Sequence, residues 1–142
     1  MAASTGLLAA PETAFDWPVR VYWEDTDAGG IVFYANYLKF FERARTEWLR
    51  SLGFSQQVLR DATGGMFVVS HTEVHYRQSA RLDDLLQVTA WVLEAGRVSM
   101  TIGQQALRDG ILLCEGTIRI GWVDAATLRP ARIPIHILEA LQ

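Results

Sequence analysis

An acidic segment that contains two glycines stands directly before the longest helical pattern in the chain. It includes Asp25, Asp27 and the pair Gly29-Gly30. A helix that begins near Asn36 would present free backbone N–H groups and the positive end of its dipole to this segment. The arrangement pairs a base with an anion hole. The same acids could instead cap the helix or hold the loop, and the spacing alone leaves both interpretations open.

Two other groups of side chains have chemistry of their own. Cys114 alternates with apolar residues on one face of a predicted strand, which favours a buried structural cysteine over a nucleophile. His71, Glu73 and His75 share one face of another predicted strand and could ligate a metal ion. Neighbours on a strand face are about 6.5 to 7 Å apart, however, and a solvated polar face explains this alternation equally well. We therefore predict neither a cysteine nucleophile nor a metal site.

Common motifs for nucleophilic and nucleotide-binding sites are absent from the sequence. The segment Gly53–Gln57 lacks the last glycine of a nucleophile elbow, and no glycine-rich loop carries the lysine of a P-loop. The formal net charge is −3, which does not provide the positive field of nucleic-acid-binding proteins. These observations argue against a nucleic-acid partner.

Hydrophobic periodicity predicts the elements that position these residues. Alternation over Val19–Glu24 predicts a strand, and apolar residues at steps of three or four predict a helix over Asn36–Leu52, with Asn36 as its N-cap. Its inner stripe comprises Tyr37, Phe41, Ala44, Trp48 and Leu52. Further strands are predicted at 66–77, 85–93, 97–107 and 111–123. This order is typical of an α+β domain in which an antiparallel sheet curls around one helix, and Pro134 could open a short terminal helix.

Length and composition favour one domain. The chain has 142 residues, of which 50% are hydrophobic and 20% charged. We predict a flexible N-terminal extension over residues 1–16, which makes a poor secretory signal, and one domain over residues 17–142. No apolar run approaches the ~18 to 20 residues that a membrane helix requires. We therefore expect no integral membrane segment. The single cysteine, Cys114, cannot close an internal disulfide, which favours a reducing, cytoplasmic setting.

Several separated motifs, taken together in order, resemble one known family. They are Trp17–Val21, Asp25–Gly30, Phe41–Arg45, Gly53–Gln57 and Ala80–Asp84. The sequence resembles the hotdog-fold 4-hydroxybenzoyl-CoA thioesterase family, and within it the YbgC-like branch, the acyl-CoA thioesterases associated with the bacterial Tol-Pal system. The resemblance implies a hotdog fold, in which a curved five-stranded antiparallel sheet wraps around one long central helix.

The resemblance also implies roles for two residues. Asp27 matches the family's catalytic carboxylate, which acts either as nucleophile on the thioester carbonyl or as general base for water. The backbone N–H of Tyr34 matches the donor that polarises this carbonyl. Many YbgC-like members have histidine at this position, so Tyr34 departs from their pattern. Phe33, Tyr34 and Tyr37 could line the acyl pocket, but aromatic residues beside a packed helix more often belong to the core.

On this resemblance we expect an acyl-CoA thioesterase that needs neither a metal nor an organic cofactor. Its substrate would be an acyl-CoA or an acyl-carrier-protein thioester. Similar proteins form homodimers or homotetramers with active sites at the subunit boundary, and the branch implies a link to Tol-Pal or phospholipid-synthesis proteins. The alternative is a non-hydrolytic acyl-thioester binding or envelope-associated interaction protein on the same fold.

Overall fold

A curved antiparallel sheet and one long helix form the body of the protein. The structure is a computed structural model that describes residues 6–142. Its strands are β1 (Phe15–Arg20), β2 (Gly65–Tyr76), β3 (Leu85–Ala95), β4 (Ser99–Arg108) and β5 (Ile111–Asp124). Its helices are α1 (Asn36–Ser51), α2 (Gln56–Thr63) and α3 (Ile135–Leu141).

The sheet has the strand order β1-β3-β4-β5-β2, and every neighbouring pair is antiparallel. Helix α1 lies against one face of the sheet and completely buries Phe40, Phe41 and Ala44 there. The predicted α+β class and the hotdog arrangement are therefore confirmed. The strands β2 to β5 end within two residues of their predicted bounds.

The first strand differs from the prediction. Strand β1 ends at Arg20, and the chain then enters a short 3₁₀ helix over Trp23–Asp25. The prediction of a strand that continues to Glu24 is therefore wrong, and Trp23 is 82% exposed. The local cause is Asp25, whose side-chain oxygen Oδ2 accepts the Tyr22 N–H at 2.8 Å and turns the chain out of the sheet.

Helix α1 begins at Asn36 as predicted, but Asn36 is not its N-cap. Ala35 occupies that position, and the Asn36 side-chain amide donates to the Asp25 carbonyl oxygen at 2.8 Å instead. The inner stripe is also shifted, because Leu52 is 37% exposed. The buried residues of the helix are Tyr37, Phe40, Phe41, Ala44 and Leu49.

A second helix was not predicted. The segment that resembles an incomplete nucleophile elbow instead starts α2, where the Ser55 hydroxyl accepts the Val58 N–H at 3.3 Å. The helix ends at Gly64, whose φ of +72° is the left-handed conformation that glycine adopts without strain. The short helix expected after Pro134 is present as α3.

The predicted N-terminal extension over residues 1–16 has described and undescribed parts. Residues 1–5 lie outside the described residues, and β1 already begins at Phe15. The N–H groups of Leu7 and Leu8 donate to the Glu115 carboxylate at 2.8 and 3.0 Å. The domain boundary at residue 17 stays a prediction. Within residues 6–142, no helix is both long enough and apolar enough to cross a membrane.

Candidate active site

Asp25 builds the loop between β1 and α1. It is only 5% exposed, and its carbonyl oxygen accepts both the Phe33 N–H at 3.0 Å and the Asn36 side-chain amide at 2.8 Å. Its carboxylate is occupied by the Tyr22 N–H. These bonds join the two ends of the loop to the first turn of α1, so Asp25 has a structural role.

Asp27 lies at the exposed tip of the same loop. Its Oδ1 accepts the Gly29 N–H at 2.8 Å, and its backbone carbonyl accepts the Gly30 N–H at 3.0 Å. Gly30 has a φ of +80°, a conformation that favours glycine in this turn. Among residues 6–142, the Asp27 carboxylate forms no ion pair and makes no other hydrogen bond. One of its oxygen atoms therefore remains available to a bound molecule.

The segment before α1 presents backbone donors. The Phe33 carbonyl accepts the Asn36 N–H at 2.8 Å, which fixes the peptide that carries the Tyr34 N–H. Neither the Tyr34 N–H nor the Ala35 N–H has an acceptor within the described part of the chain. Free N–H groups at the start of a helix attract negative charge, because the helix dipole has its positive end there.

The carboxylate and the donor segment share one cavity. It has a volume of about 270 Å³ and is formed by the Asp27 loop, the start of α1 and the end of β2 with the residues that follow it. Its lining consists of Asp27, Ile31, Val32, Tyr34, Tyr37, Tyr76, Arg77, Gln78 and Ser79. The structure thus places Asp27 and Tyr34, the two residues to which the resemblance gives roles, in the lining of one cavity.

The end of β2 supplies the part of the cavity that the sequence did not identify. The Val32 N–H donates to the Ala80 carbonyl at 2.9 Å, and Ile31 pairs with Arg81 in an isolated antiparallel bridge. These contacts place Tyr76 beside the start of α1. No local pattern signals this placement, since it depends on how two distant loops pair.

The three aromatic residues near the helix start differ in burial. Tyr37 is 3% exposed, and its hydroxyl accepts the Ala80 N–H at 3.1 Å, as expected of a core residue. Burial raises the pKa of Tyr37, and the Ala80 N–H opposes this shift only in part. Phe33 and Tyr34 are 43% and 63% exposed, so their rings are available at the surface.

Cys114 is fully buried on β5, as predicted. Burial first, and the nearby Glu115 second, raise the pKa of its thiol to about 12. The thiol is therefore protonated at neutral pH. A protonated, inaccessible thiol is a poor nucleophile, so the structural interpretation of Cys114 holds.

His71, Glu73 and His75 lie on β2. The Nε2 atom of His75 is 3.1 Å from Oε2 of Glu73, and both side chains are substantially exposed. No group of three or more potential ligands within residues 6–142 is arranged to hold a metal ion. His75 and Glu73 form an exposed contact on β2, as a solvated polar face would.

A larger cavity, of about 400 Å³, lies further along α1. Its mostly apolar lining includes Trp48, Leu49, Phe67, Ile102 and Ile120. The Arg45 side chain also lines it and donates to Oε1 of the buried Gln104 at 2.9 Å. Burial lowers the pKa of Arg45. The carboxylate that lines this cavity, Glu42, accepts the Thr46 hydroxyl. The smaller cavity is the better candidate for chemistry, because both Asp27 and Tyr34 line it.

Comparisons with known proteins agree on one group. Residues 21–141 match the family described as the thioesterase-like superfamily. The acyl-CoA thioesterase YbgC of Haemophilus influenzae is 42% identical over 91% of this chain and 95% of its own length. The acyl-CoA thioester hydrolase YbgC of Escherichia coli is 42% identical over 89% of this chain and 94% of its own length. The crystal structure of a probable thioesterase from Bartonella henselae is similar with a TM-score of 0.81 and 31% identity, over 86% of this chain and 100% of that chain.

Proposed function

The chain belongs to the thioesterase-like superfamily, and from that premise we propose how its site works. The protein is an acyl-CoA thioesterase, which hydrolyses a thioester to a free carboxylic acid and CoA. In the proposal, Asp27 attacks the thioester or activates water, and the Tyr34 N–H polarises the thioester carbonyl. One observation carries this assignment: the available carboxylate of Asp27 and the free N–H of Tyr34 belong to residues that line the same cavity.

Asp27 acts first in the proposed reaction. Its free carboxylate oxygen attacks the carbonyl carbon and forms a tetrahedral intermediate. The C–S bond then breaks, CoA leaves as a thiolate that takes up a proton, and the acyl group remains on Asp27 as a mixed anhydride. Water hydrolyses this anhydride, which releases the acid and regenerates the carboxylate. General-base activation of water by Asp27 is the second form of the proposal, although an ordinary carboxylate is a weak base at neutral pH.

The Tyr34 N–H stabilises the charge that develops in this reaction. The carbonyl oxygen becomes negative when the carbon is attacked, and a backbone donor held at the start of α1 needs no reorganisation to meet it. A donor of this kind is worth about 100 to 1,000-fold in rate in well-studied oxyanion holes. The bonds that Asp25 and Asn36 make fix this segment in advance.

The substrate is an acyl-CoA, and an acyl-carrier-protein thioester is the alternative donor in the proposal.

We further propose a cytoplasmic homodimer or homotetramer. Among residues 6–142, strand β2 is an edge of the sheet and pairs only with β5, so its other edge is open to a strand of a second copy. Light scattering on the active enzyme tests this, and an active monomer would contradict it. A link to Tol-Pal or phospholipid-synthesis proteins is proposed on family grounds alone.

A thiol-release assay tests the proposed function. The wild-type protein and Asp27→Asn are assayed with aromatic, short-chain and long-chain acyl-CoAs, using a preparation of the variant in which deamidation is excluded. Asp16→Asn is the matched control, since Asp16 is an exposed aspartate on β1 outside the cavity. We expect thiol release by the wild type and by Asp16→Asn, and its loss in Asp27→Asn. Near-normal turnover in Asp27→Asn would refute the assignment of Asp27.

A further inference from the structure

Tyr76, the last residue of β2, is bonded to the segment that carries the proposed donor. Its hydroxyl donates to the Tyr34 carbonyl oxygen at 2.9 Å, across 42 positions in the sequence. Tyr76 is 48% exposed and lines the same cavity as Asp27. A hydroxyl at such a position could be satisfied by water alone, so burial does not require this bond.

The ring of Tyr76 is held between two other tyrosines. Its centroid lies 6.3 Å from that of Tyr34, with the rings at 89°, and 5.7 Å from that of Tyr37, with the rings at 61°. Tyr37 is itself buried and anchored by the Ala80 N–H. These edge-on contacts fix the direction in which the Tyr76 hydroxyl points.

The hydroxyl bond acts on one particular peptide group. The Tyr34 carbonyl and the Ala35 N–H belong to the same peptide, and a hydrogen bond accepted by the carbonyl polarises the N–H at the other end. The Ala35 N–H has no acceptor among residues 6–142. Burial, with smaller contributions from Cys114 and Tyr34, raises the pKa of Tyr76, so its hydroxyl remains a donor at neutral pH.

We propose that Tyr76 is a positioning residue for thioester hydrolysis, whose hydroxyl holds and polarises the peptide between Tyr34 and Ala35. The Ala35 N–H then joins the Tyr34 N–H as a second donor to the thioester carbonyl. Tyr34 and Ala35 are successive residues immediately before α1, and an oxyanion accepts more than one hydrogen bond. This inference rests on the proposed function of Asp27 and Tyr34.

Removal of the Tyr76 hydroxyl tests whether this residue contributes to the rate of thioester hydrolysis. Tyr76→Phe keeps the ring and loses the bond to Tyr34. We expect kcat to fall roughly tenfold, as for the loss of one well-placed hydrogen bond, while KM changes by less than about twofold. Tyr22→Phe is the matched control, since Tyr22 is 61% exposed and lies outside the cavity. An unchanged kcat in Tyr76→Phe overturns the inference.

Infrared spectroscopy of a bound substrate separates positioning from a purely structural role. An acyl-CoA with a ¹³C-labelled carbonyl is bound to Asp27→Asn, where the carbonyl stretching frequency should fall relative to free substrate. In the double variant Asp27→Asn/Tyr76→Phe, the carbonyl stretching frequency should fall by less. The reading comes from folded, ligand-bound molecules, so it remains valid if Tyr76→Phe lowers stability. If the carbonyl frequency falls equally with and without Tyr76→Phe, the role of Tyr76 alone is overturned. If the frequency does not fall in Asp27→Asn, carbonyl polarisation and this inference are overturned together.

Discussion

Two carboxylates in this protein have opposite surroundings. Asp27 stands at the exposed tip of the loop before α1 and accepts one hydrogen bond with its side chain, from the Gly29 N–H. Glu115, on β5, is 1% exposed. It accepts hydrogen bonds from the Leu7 and Leu8 N–H groups and from two nitrogen atoms of Arg77, the shortest at 2.7 Å.

The comparison separates a group that holds the fold from one that is free to react. Burial by itself raises the pKa of Glu115, but the bonds from Leu7, Arg77 and Leu8 together hold it below its ordinary value. Both oxygen atoms of that carboxylate accept hydrogen bonds within the protein. Asp27 keeps an oxygen atom for a ligand, at the cost of a less constrained side chain. The contrast therefore assigns stability to Glu115 and chemistry to Asp27.

The largest effect is expected from Asp27→Asn, which tests the chemical half of the comparison. Asparagine retains an oxygen that can accept a hydrogen bond from the Gly29 N–H. Its neutral amide cannot act as a nucleophile on the carbonyl carbon or as a general base. We expect kcat to fall by about 1,000-fold or more, with an unchanged thermal unfolding midpoint. Turnover and calorimetry on the same preparation measure both. A large fall in the unfolding midpoint would place Asp27 with Glu115 as a structural carboxylate.

Glu115→Gln tests the structural half. Glutamine loses the charge that Arg77 faces and places an amide where the carboxylate accepted an N–H, so buried donors lose partners. We expect the free energy of unfolding to fall by about 2 kcal/mol. Denaturant unfolding measures this, with Glu94→Gln at an exposed position of β3 as control. Equal stability of Glu115→Gln and the wild type would show that the N-terminal contacts contribute little.

The pH dependence of stability tests the same comparison between Glu115 and Asp27. Glu115 has a lower pKa in the folded state than in the unfolded state, so its ionised form stabilises the fold above the unfolded-state value. This contribution is lost as the pH falls through the folded-state pKa. We therefore expect the difference in unfolding midpoint between the wild type and Glu115→Gln to be largest near pH 7 and to shrink below about pH 4. A difference independent of pH would point to packing rather than charge.

Other carboxylates do not disturb this measurement. Burial raises the pKa of Asp84, but the Arg81 N–H and the Arg108 guanidinium together lower it below its ordinary value. Hydrogen bonds from the Thr127 and Ala126 N–H groups lower that of Asp124. Both groups are present in the wild type and in Glu115→Gln, so their contributions cancel in the difference.

The architecture could be predicted because it follows from local patterns. Period-two alternation identified β2 to β5, and the spacing of apolar residues identified α1. The first strand was placed wrongly, because Val19 and Val21 are both buried while the chain leaves the sheet between them. The turn there includes a hydrogen bond from the Tyr22 N–H to the Asp25 side chain, which periodicity does not register.

The two carboxylates were predictable to different degrees. The loop that contains Asp27 stood out because two glycines and a helix start follow it, whereas the choice of Asp27 within the loop came from the family resemblance. Glu115 lies on the strand face opposite Cys114, where alternation indicates solvent, and its burial depends on Leu7 and Leu8 more than 100 residues away. Tyr76 escaped notice for the same reason, since its bond to Tyr34 joins distant segments.

The smallest effect is expected from Tyr34→Phe, which asks whether the chemistry at the Asp27 site uses the backbone or the side chain of residue 34. The Tyr34 hydroxyl makes no hydrogen bond within the described residues, and its ring is 63% exposed. Phenylalanine keeps the backbone N–H, the ring contact with Phe33 and the carbonyl that Tyr76 binds. We expect kcat/KM within about twofold of the wild type in the thiol-release assay, since no transition-state contact is lost. A loss comparable with that of Asp27→Asn would assign proton transfer to the hydroxyl, and the site would then contain two reacting side chains instead of one carboxylate facing a backbone donor.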